Sequence, residues 1–328
     1  MSVAAWSRWT GQRHALRLGV SACLLGQEVR FDGGHARSRF VTDRLAEFAD
    51  LFPVCPELDA GLGVPRPAIR LVEGEDGDTR LCVTRTGEDL TERFLEAAER
   101  RIGGMNAREL DGFVVKKSSP SCGMERLRVH GPNGPRHRNG VGLFTQRLME
   151  RHPLLPIEED GRLQDPALRE RFVLRAFCRS RWRALRNRGL SRNALVRFHT
   201  AHKLLLRTHD ERQYQELGRL VSSFGTMPDE EIYRRYEVGF QRALMHRATR
   251  GRHTNALQHA LGFLKDRLAP IAKRELLTTL EDYRQGFVPL IVPVSLLRAH
   301  VRDHDVPYLD EQIYLDPYPK ELMLRNAS

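Results

Sequence analysis

Gly112-Phe113-Val114-Val115-Lys116-Lys117-Ser118-Ser119-Pro120-Ser121-Cys122-Gly123 sets a short apolar run against a loop of hydroxyls and one thiol. The run reads as a buried strand, closed by a turn-forming cluster. Pro120 stiffens the loop, and Gly123 permits dihedrals closed to other residues. Ser119, Ser121 and Cys122 are therefore expected to point at one small volume at the strand's end.

Working outward, Leu16 to Leu25 reads as another buried strand, with Ser21-Ala22-Cys23 near its end. Phe52-Pro53-Val54-Cys55-Pro56-Glu57 is a further apolar segment that delivers a cysteine. Between them Thr42 is placed as the N-cap of a helix with Leu45, Phe48, Ala49 and Phe52 on one face. Ala68 to Thr86 reads as a hairpin turning at Asp76-Gly77, and Thr91 to Ile102 as a helix with Phe94, Ala98 and Ile102 on its inner side. Gly131 to Gly142 reads as a loop, Leu143 to Arg151 as a helix, and Leu154 to Ile157 as the last strand. This alternation predicts an α/β domain with a mainly parallel sheet. Ligands of such sheets bind beyond the strands' carboxyl ends, where Cys23, Cys55 and Cys122 all fall. Three thiols are thus expected to converge. Cys82 lies inside a strand and Cys178 inside a helix, so both read as small buried hydrophobes.

Asp165-Pro166 opens a long helix reaching Gly189, Asp as N-cap and Pro in the first turn. Arg175, Arg179, Arg181, Arg183, Arg186 and Arg188 are placed on its outer face. From Ser191 onward only helical periodicity remains, with helices expected over Ser191–Thr208, Asp210–Ser222, Asp229–Thr249, His253–Leu268 and Ile271–Phe287, and shorter ones near Ser295–Val301 and Glu311. The chain thus divides into a disordered or extended N-terminus (1–16), the α/β domain (17–164), a connecting basic helix (165–190) and an all-α domain (191–328).

The net charge of +11 is concentrated. From Gly161 to Ala260, 21 Lys or Arg stand against 9 Asp or Glu, and the remainder is close to neutral. Such a window favours a polyanionic partner, because each neutralised phosphate releases counterions; a solvated helix surface is the plainer alternative. No apolar run approaches the roughly 20 residues that span a bilayer, so no membrane association is expected. Met1 to Leu16 lack the apolar core of a secretory signal. The expectation is a cytoplasmic protein with reduced thiols and no obligate protein partner.

Separations of 32 and 67 residues between the three cysteines do not choose among an iron–sulfur cluster, zinc and unliganded thiols. His199, His202, His209, His253 and His259 lack the accompanying carboxylate or thiol pattern of a metal site.

Four blocks in order, Ser21-Ala22-Cys23-Leu24-Leu25-Gly26, Arg30-Phe31-Asp32-Gly33, Val54-Cys55-Pro56-Glu57 and Ser119-Pro120-Ser121-Cys122-Gly123, resemble the signature of the thiouracil desulfidase family. The resemblance covers roughly Arg17 to Arg181. It implies a [4Fe–4S] cluster on Cys23, Cys55 and Cys122, with one iron left open. The remainder, with Phe198-His199-Thr200-Ala201-His202-Lys203-Leu204, Tyr214-Gln215-Glu216-Leu217-Gly218-Arg219 and Asn255-Ala256-Leu257-Gln258-His259, is similar to the helical module fused to such domains in bacterial tRNA 4-thiouridine desulfidases. That likeness implies tRNA as partner and a non-redox replacement of sulfur by water at C4 of 4-thiouridine.

Within that reading Glu57 is the expected base, with Ser121 and Ser119 as proton donors. Ser21, Asp32 and Lys116 are expected to hold substrate, and Arg179, Arg181, Arg183, Arg186, Lys203, Arg207 and Arg252 to contact RNA. Each has a plainer role: serines bonding to sulfur or amide, Glu57 pairing with Arg66 or Arg70, Asp32 shaping a turn. A small-molecule thiouracil desulfidase and a non-catalytic iron–sulfur RNA-binding regulator are the alternative functions.

Overall fold

The protein, seen in a computed structural model, is described at residues 5–11, 15–105, 109–131 and 134–326. It divides into an α/β unit, Arg13–Leu168, and a helical unit, Arg169–Ser328 joined by Met1–Gln12.

The α/β unit runs β1 (Leu16–Ser21), β2 (Ala49–Val54), β3 (Ile69–Glu73), β4 (Thr79–Val83), α1 (Thr91–Gly104), β5 (Gly112–Val115), β6 (Leu127–Gly131), β7 (Gly134–Gly140), α2 (Leu143–Arg151) and β8 (Ile157–Glu159). β2, β1, β5 and β8 neighbour one another in that order and are all parallel. β5 is buried along its whole length, as its unbroken apolar run requires. β2 lies at an edge, which accommodates Pro53 and leaves Phe52 exposed. One core joins both sheets and both helices: Leu71, Phe94, Phe113, Val129 and Phe144 all belong to it. Phe94, Ala98 and Ile102 recur every fourth residue on α1, so one helix face is buried. Truncating Phe94 to Ala would cost about 3–5 kcal/mol.

Three expectations about local structure are corrected. Residues 42–52 do not form a helix: a π turn (Phe40–Arg44) and a 3-10 turn (Leu45–Phe48) pass directly into β2. Ala49 pairs with Leu16 and Phe52 with Gly19, so hydrogen bonding to β1 overrides the helical spacing. Residues 131–142 are largely strand, because β6 and β7 complete a second sheet in the order β4-β3-β6-β7. Its polar, Gly- and Pro-rich sequence hides it. Gly123 has no left-handed backbone; a Cβ there would meet the Leu127 side chain at 2.7 Å and the Ser119 carbonyl at 3.0 Å, so close approach is what demands glycine.

The helical unit contains most of α3 (Pro166–Asn187), then α4 (Arg192–His209), α5 (Glu211–Ser222), α6 (Asp229–Ala243), α7 (Arg250–Gly262), α8 (Pro270–Gln285) and α9 (Ile291–Asp303). Asp165 caps α3, its Oδ1 accepting the Ala167 and Leu168 amides at 2.8 and 3.0 Å. Ser191, Asp210 and Thr249 cap α4, α5 and α7 in the same way. Residues 5–11 are not disordered or extended. Ala5–Arg8 is a short helix, and Trp6 and Trp9 dock edge-on against Phe177 and Phe198 at 5.8 and 5.1 Å. Residues 1–4 and 12–14 lie outside the described set. No described helix is long and apolar enough to cross a membrane.

Candidate active site

β1 lies between β2 and β5, so the carboxyl ends of these three strands are neighbours. Cys23 sits in the 3-10 turn Ala22–Leu25 that leaves β1, Cys55 directly follows β2, and Cys122 lies in the turn beyond β5. All three line one cavity of about 360 Å³. Ser118 takes φ 58° to turn the β5 loop back, a conformation unfavourable for a residue with a side chain. Gly142 closes against that loop: a Cβ there would lie 2.6–2.7 Å from the Ser121–Cys122 backbone.

Glu57 organises the cavity wall. Its Oε1 accepts a short hydrogen bond from the Ser121 hydroxyl. Its Oε2 accepts the Cys55 thiol at 3.4 Å and pairs with the Arg66 guanidinium at 3.3 Å. A hydroxyl has one proton, so Ser121, donating to Glu57, accepts from Ser119 Oγ at 2.8 Å. Ser119 in turn accepts the Cys122 amide at 3.2 Å. The result is a directed chain from Ser119 through Ser121 to Glu57.

Burial, reinforced by the charge of Glu57, pushes the Cys23 thiol up to about 11 and Cys55 to about 12, and raises Cys122 well above its usual value. Without a cation between them these sulfurs stay protonated; a cationic centre would draw the protons off. Three soft donors facing a carboxylate-lined wall suit an iron–sulfur centre. Among the described residues lining the cavity there is no fourth cysteine and no histidine. Nor, among the described residues, are three His, Cys, Asp or Glu side chains gathered as a single metal ion requires.

The remaining residues singled out from the sequence divide. Ser21 and Lys116 line the cavity. Ser21 Oγ accepts the Lys116 amide at 3.0 Å, and Lys116 Nζ is held by Asp160 at 3.6 Å and the Lys117 carbonyl at 3.2 Å. Asp32 does not line it; its Oδ1 accepts the Gly34 amide at 3.0 Å, and it pairs with Arg30, so it shapes a turn. Ser121 is fully buried and absent from the lining, so it does not reach the cavity itself and bonds instead to Ser119 and Glu57. Arg66 was seen in the sequence only as a partner for Glu57, yet it lines the cavity. Cys82 and Cys178 are buried away from it.

The arginine stripe on α3 is also corrected. Arg181 is fully buried, donating to His202 Nε2 at 3.2 Å, the Pro317 carbonyl at 2.9 Å and Cys178 Sγ at 3.1 Å, so it presents nothing to RNA. Arg179 is 9% exposed. Arg183, Arg186 and Lys203 are half-buried. Arg207 pairs with Glu211 at 3.0 Å, and exposed Arg252 donates to the His209 carbonyl. Arg197, Arg219, Arg242 and Arg247, not singled out from the sequence, are exposed and form no ion pair among the described residues.

Residues 18–160 match the profile of the 2-thiouracil desulfurase family. The uncharacterized protein YbbK of Bacillus subtilis (strain 168) is 34% identical over 108 residues, 71% of that protein and 32% of this chain. The chain belongs to the 2-thiouracil desulfurase family. Among solved structures, the [4Fe-4S]-dependent thiouracil desulfidase TudS is 32% identical, with 94% of that chain and 46% of this one covered, at a TM-score of 0.37. Residues 203–319 match a family of unknown function, DUF1722. The uncharacterized protein YbgA of Escherichia coli (strain K12) is 26% identical over 156 residues, 47% of this chain and 92% of that protein. The α/β unit is thus a desulfidase domain, and the thiol-lined cavity is the candidate active site of an enzyme.

Proposed function

We propose that this protein removes sulfur from 4-thiouridine in tRNA, leaving uridine, with a [4Fe–4S] cluster held by Cys23, Cys55 and Cys122. The convergence of three thiols on one cavity, with no fourth cysteine among the described residues lining it, carries the reading. When bound, the cluster supplies a Lewis-acidic iron with affinity for sulfur at the corner the protein leaves free. Glu57, fixed by Ser121 and Arg66, takes a proton from the water that adds at C4. Ser119 faces the cavity and is joined to Glu57 through Ser121, so that proton has a path back toward the substrate. Lys116, held by Asp160, offers positive charge on the same wall. Sulfur leaves at the sulfide level, as hydrogen sulfide once both protons of the entering water have passed to it, and no electrons are gained or lost.

The helical unit supplies affinity for RNA. The basic excess between Gly161 and Ala260 supports this, as do exposed Arg197, Arg219, Arg242 and Arg247. A stacked uridine must leave its neighbours to reach a cavity, so shape and phosphate contacts dominate binding. Such a substrate places the enzyme in the cytoplasm.

The test is anaerobic turnover by the reconstituted full chain. The near-ultraviolet absorbance of 4-thiouridine in bulk tRNA is expected to disappear. Activity on free thiouracil alone, the substrate type for which TudS is named, would make this a small-molecule enzyme, and tRNA binding without absorbance loss would make it a regulator.

A further inference from the structure

The second sheet carries a row of arginines beside the thiol cavity. β3 and β6 run parallel with Leu71 opposite Val129, both buried. Side chains alternate along strands, so Arg70 and Arg128, one step earlier on each strand, share the other face. Across β6 and β7, Leu127 faces Gly140 and Val129 faces His137, and the irregularity between those pairs sets Arg138 and Asn139 opposite Arg128. Three guanidinium-bearing residues therefore lie abreast on adjacent strands. With Arg126 and His130 they line a groove of about 500 Å³ whose wall shares Ile69, Ser118 and Pro120 with the thiol cavity.

Like charges abreast on neighbouring strands destabilise a sheet. Little in the fold offsets this: among the described residues no carboxylate lines the groove and neither Arg128 nor Arg138 forms an ion pair. Arg70 Nε is buried and has no hydrogen-bond partner among the described residues. Arg126, at φ 56°, adds a strained backbone at the rim. The groove holds more guanidinium groups than one phosphate can engage, and its apolar lining residues, Ile69, Leu71, Pro120 and Leu127, include no exposed large side chain to anchor a protein partner. Guanidinium forks match phosphate oxygens in pairs.

We propose that this groove holds consecutive backbone phosphates of the RNA strand flanking the target nucleotide, so that the α/β unit itself distinguishes a polynucleotide from a free base. The inference rests on the tRNA reading above. It assigns the recognition to Arg70, Arg128 and Arg138, residues separate from the thiols and from the helical unit.

The test compares full-length R128Q/R138Q with R85Q/R100Q, which removes equal charge at exposed positions outside the groove. Binding of bulk tRNA by R128Q/R138Q is expected to weaken about tenfold, and the slope of log affinity against log salt to fall by roughly 1.5, near 0.7–0.9 per lost phosphate contact. Turnover of free 4-thiouracil and iron content are expected to match the wild type. If R128Q/R138Q binds tRNA as tightly as R85Q/R100Q, the groove assignment is wrong while the tRNA reading stands. If wild-type protein binds no tRNA, both fall. An equal loss on 4-thiouridine monophosphate would reassign the groove to a single nucleotide phosphate and overturn the polynucleotide assignment. Should the double variant fail to fold, R138Q alone reads the same change at half its size.

Discussion

Both units bury polar groups around cysteine, with opposite outcomes. In the helical unit, Cys178, Arg181 and His202 are fully buried, with Arg181 donating to Cys178, His202 and the Pro317 carbonyl and His202 bonded to the Phe198 carbonyl. In the α/β unit, Cys55, Ser121, Glu57 and Arg66 form a comparable network, but three of its members, with Cys23 and Cys122, face a cavity. The closed network spends its hydrogen-bonding capacity on the fold. The open one keeps three sulfurs and a carboxylate for a visitor. Burial of a polar cluster therefore marks a site only where the cluster also borders empty space.

The sharpest way to break this contrast is Glu57→Gln. The amide keeps the shape but cannot accept a proton from water, so turnover is expected to fall at least about a hundredfold. Iron content should be unchanged. Unimpaired turnover would return Glu57 to the role of a partner for Arg66.

Arg181→Ala should do the reverse. Losing a buried side chain that serves three partners costs about 2–4 kcal/mol, read as a lower urea midpoint. Iron binding by the folded protein should survive. If turnover of free thiouracil disappears while stability is unaltered, the closed network has a function not assigned to it.

Much of this division was legible in the sequence, but unevenly. The thiols could be placed because each lies at the end of a short apolar run, even where, as before Cys55, part of the strand reads as a helix, and strands of one parallel sheet share an end. Arg181 lies four residues after Phe177 and four before Leu185, a buried row that reveals its position, although its charge suggested the outer face. Arg66 reaches the cavity from the 61–67 loop, whose path depends on tertiary packing. β6 and β7 pair residues such as His130 and Pro135, which carry little strand preference, so the second sheet and its arginine row were hidden.

The helical unit should also carry a pH dependence of its own. Burial holds His199 and His209 down at about 4, with nearby Lys203 and arginines adding to it. His199 Nδ1 meets the Tyr236 hydroxyl at 3.1 Å and His209 Nδ1 the His246 carbonyl at 2.7 Å. Below about 6.5 the unfolded chain takes up protons that the folded chain refuses. Stability should therefore fall as pH drops from about 6.5 toward 4, by up to about 1.4 kcal/mol per pH unit for each ring. A flat profile in calorimetry over that window would mean the rings protonate in place.

Iron and acid-labile sulfide, measured on protein purified without air, test the shared thiol site most directly. About four of each per chain are expected for the wild type, falling to background in Cys23→Ala, Cys55→Ala and Cys122→Ala but not in Cys82→Ala. Wild-type protein with a single iron and no sulfide, or full iron retained after loss of any one of the three thiols, would contradict a cluster held by all three.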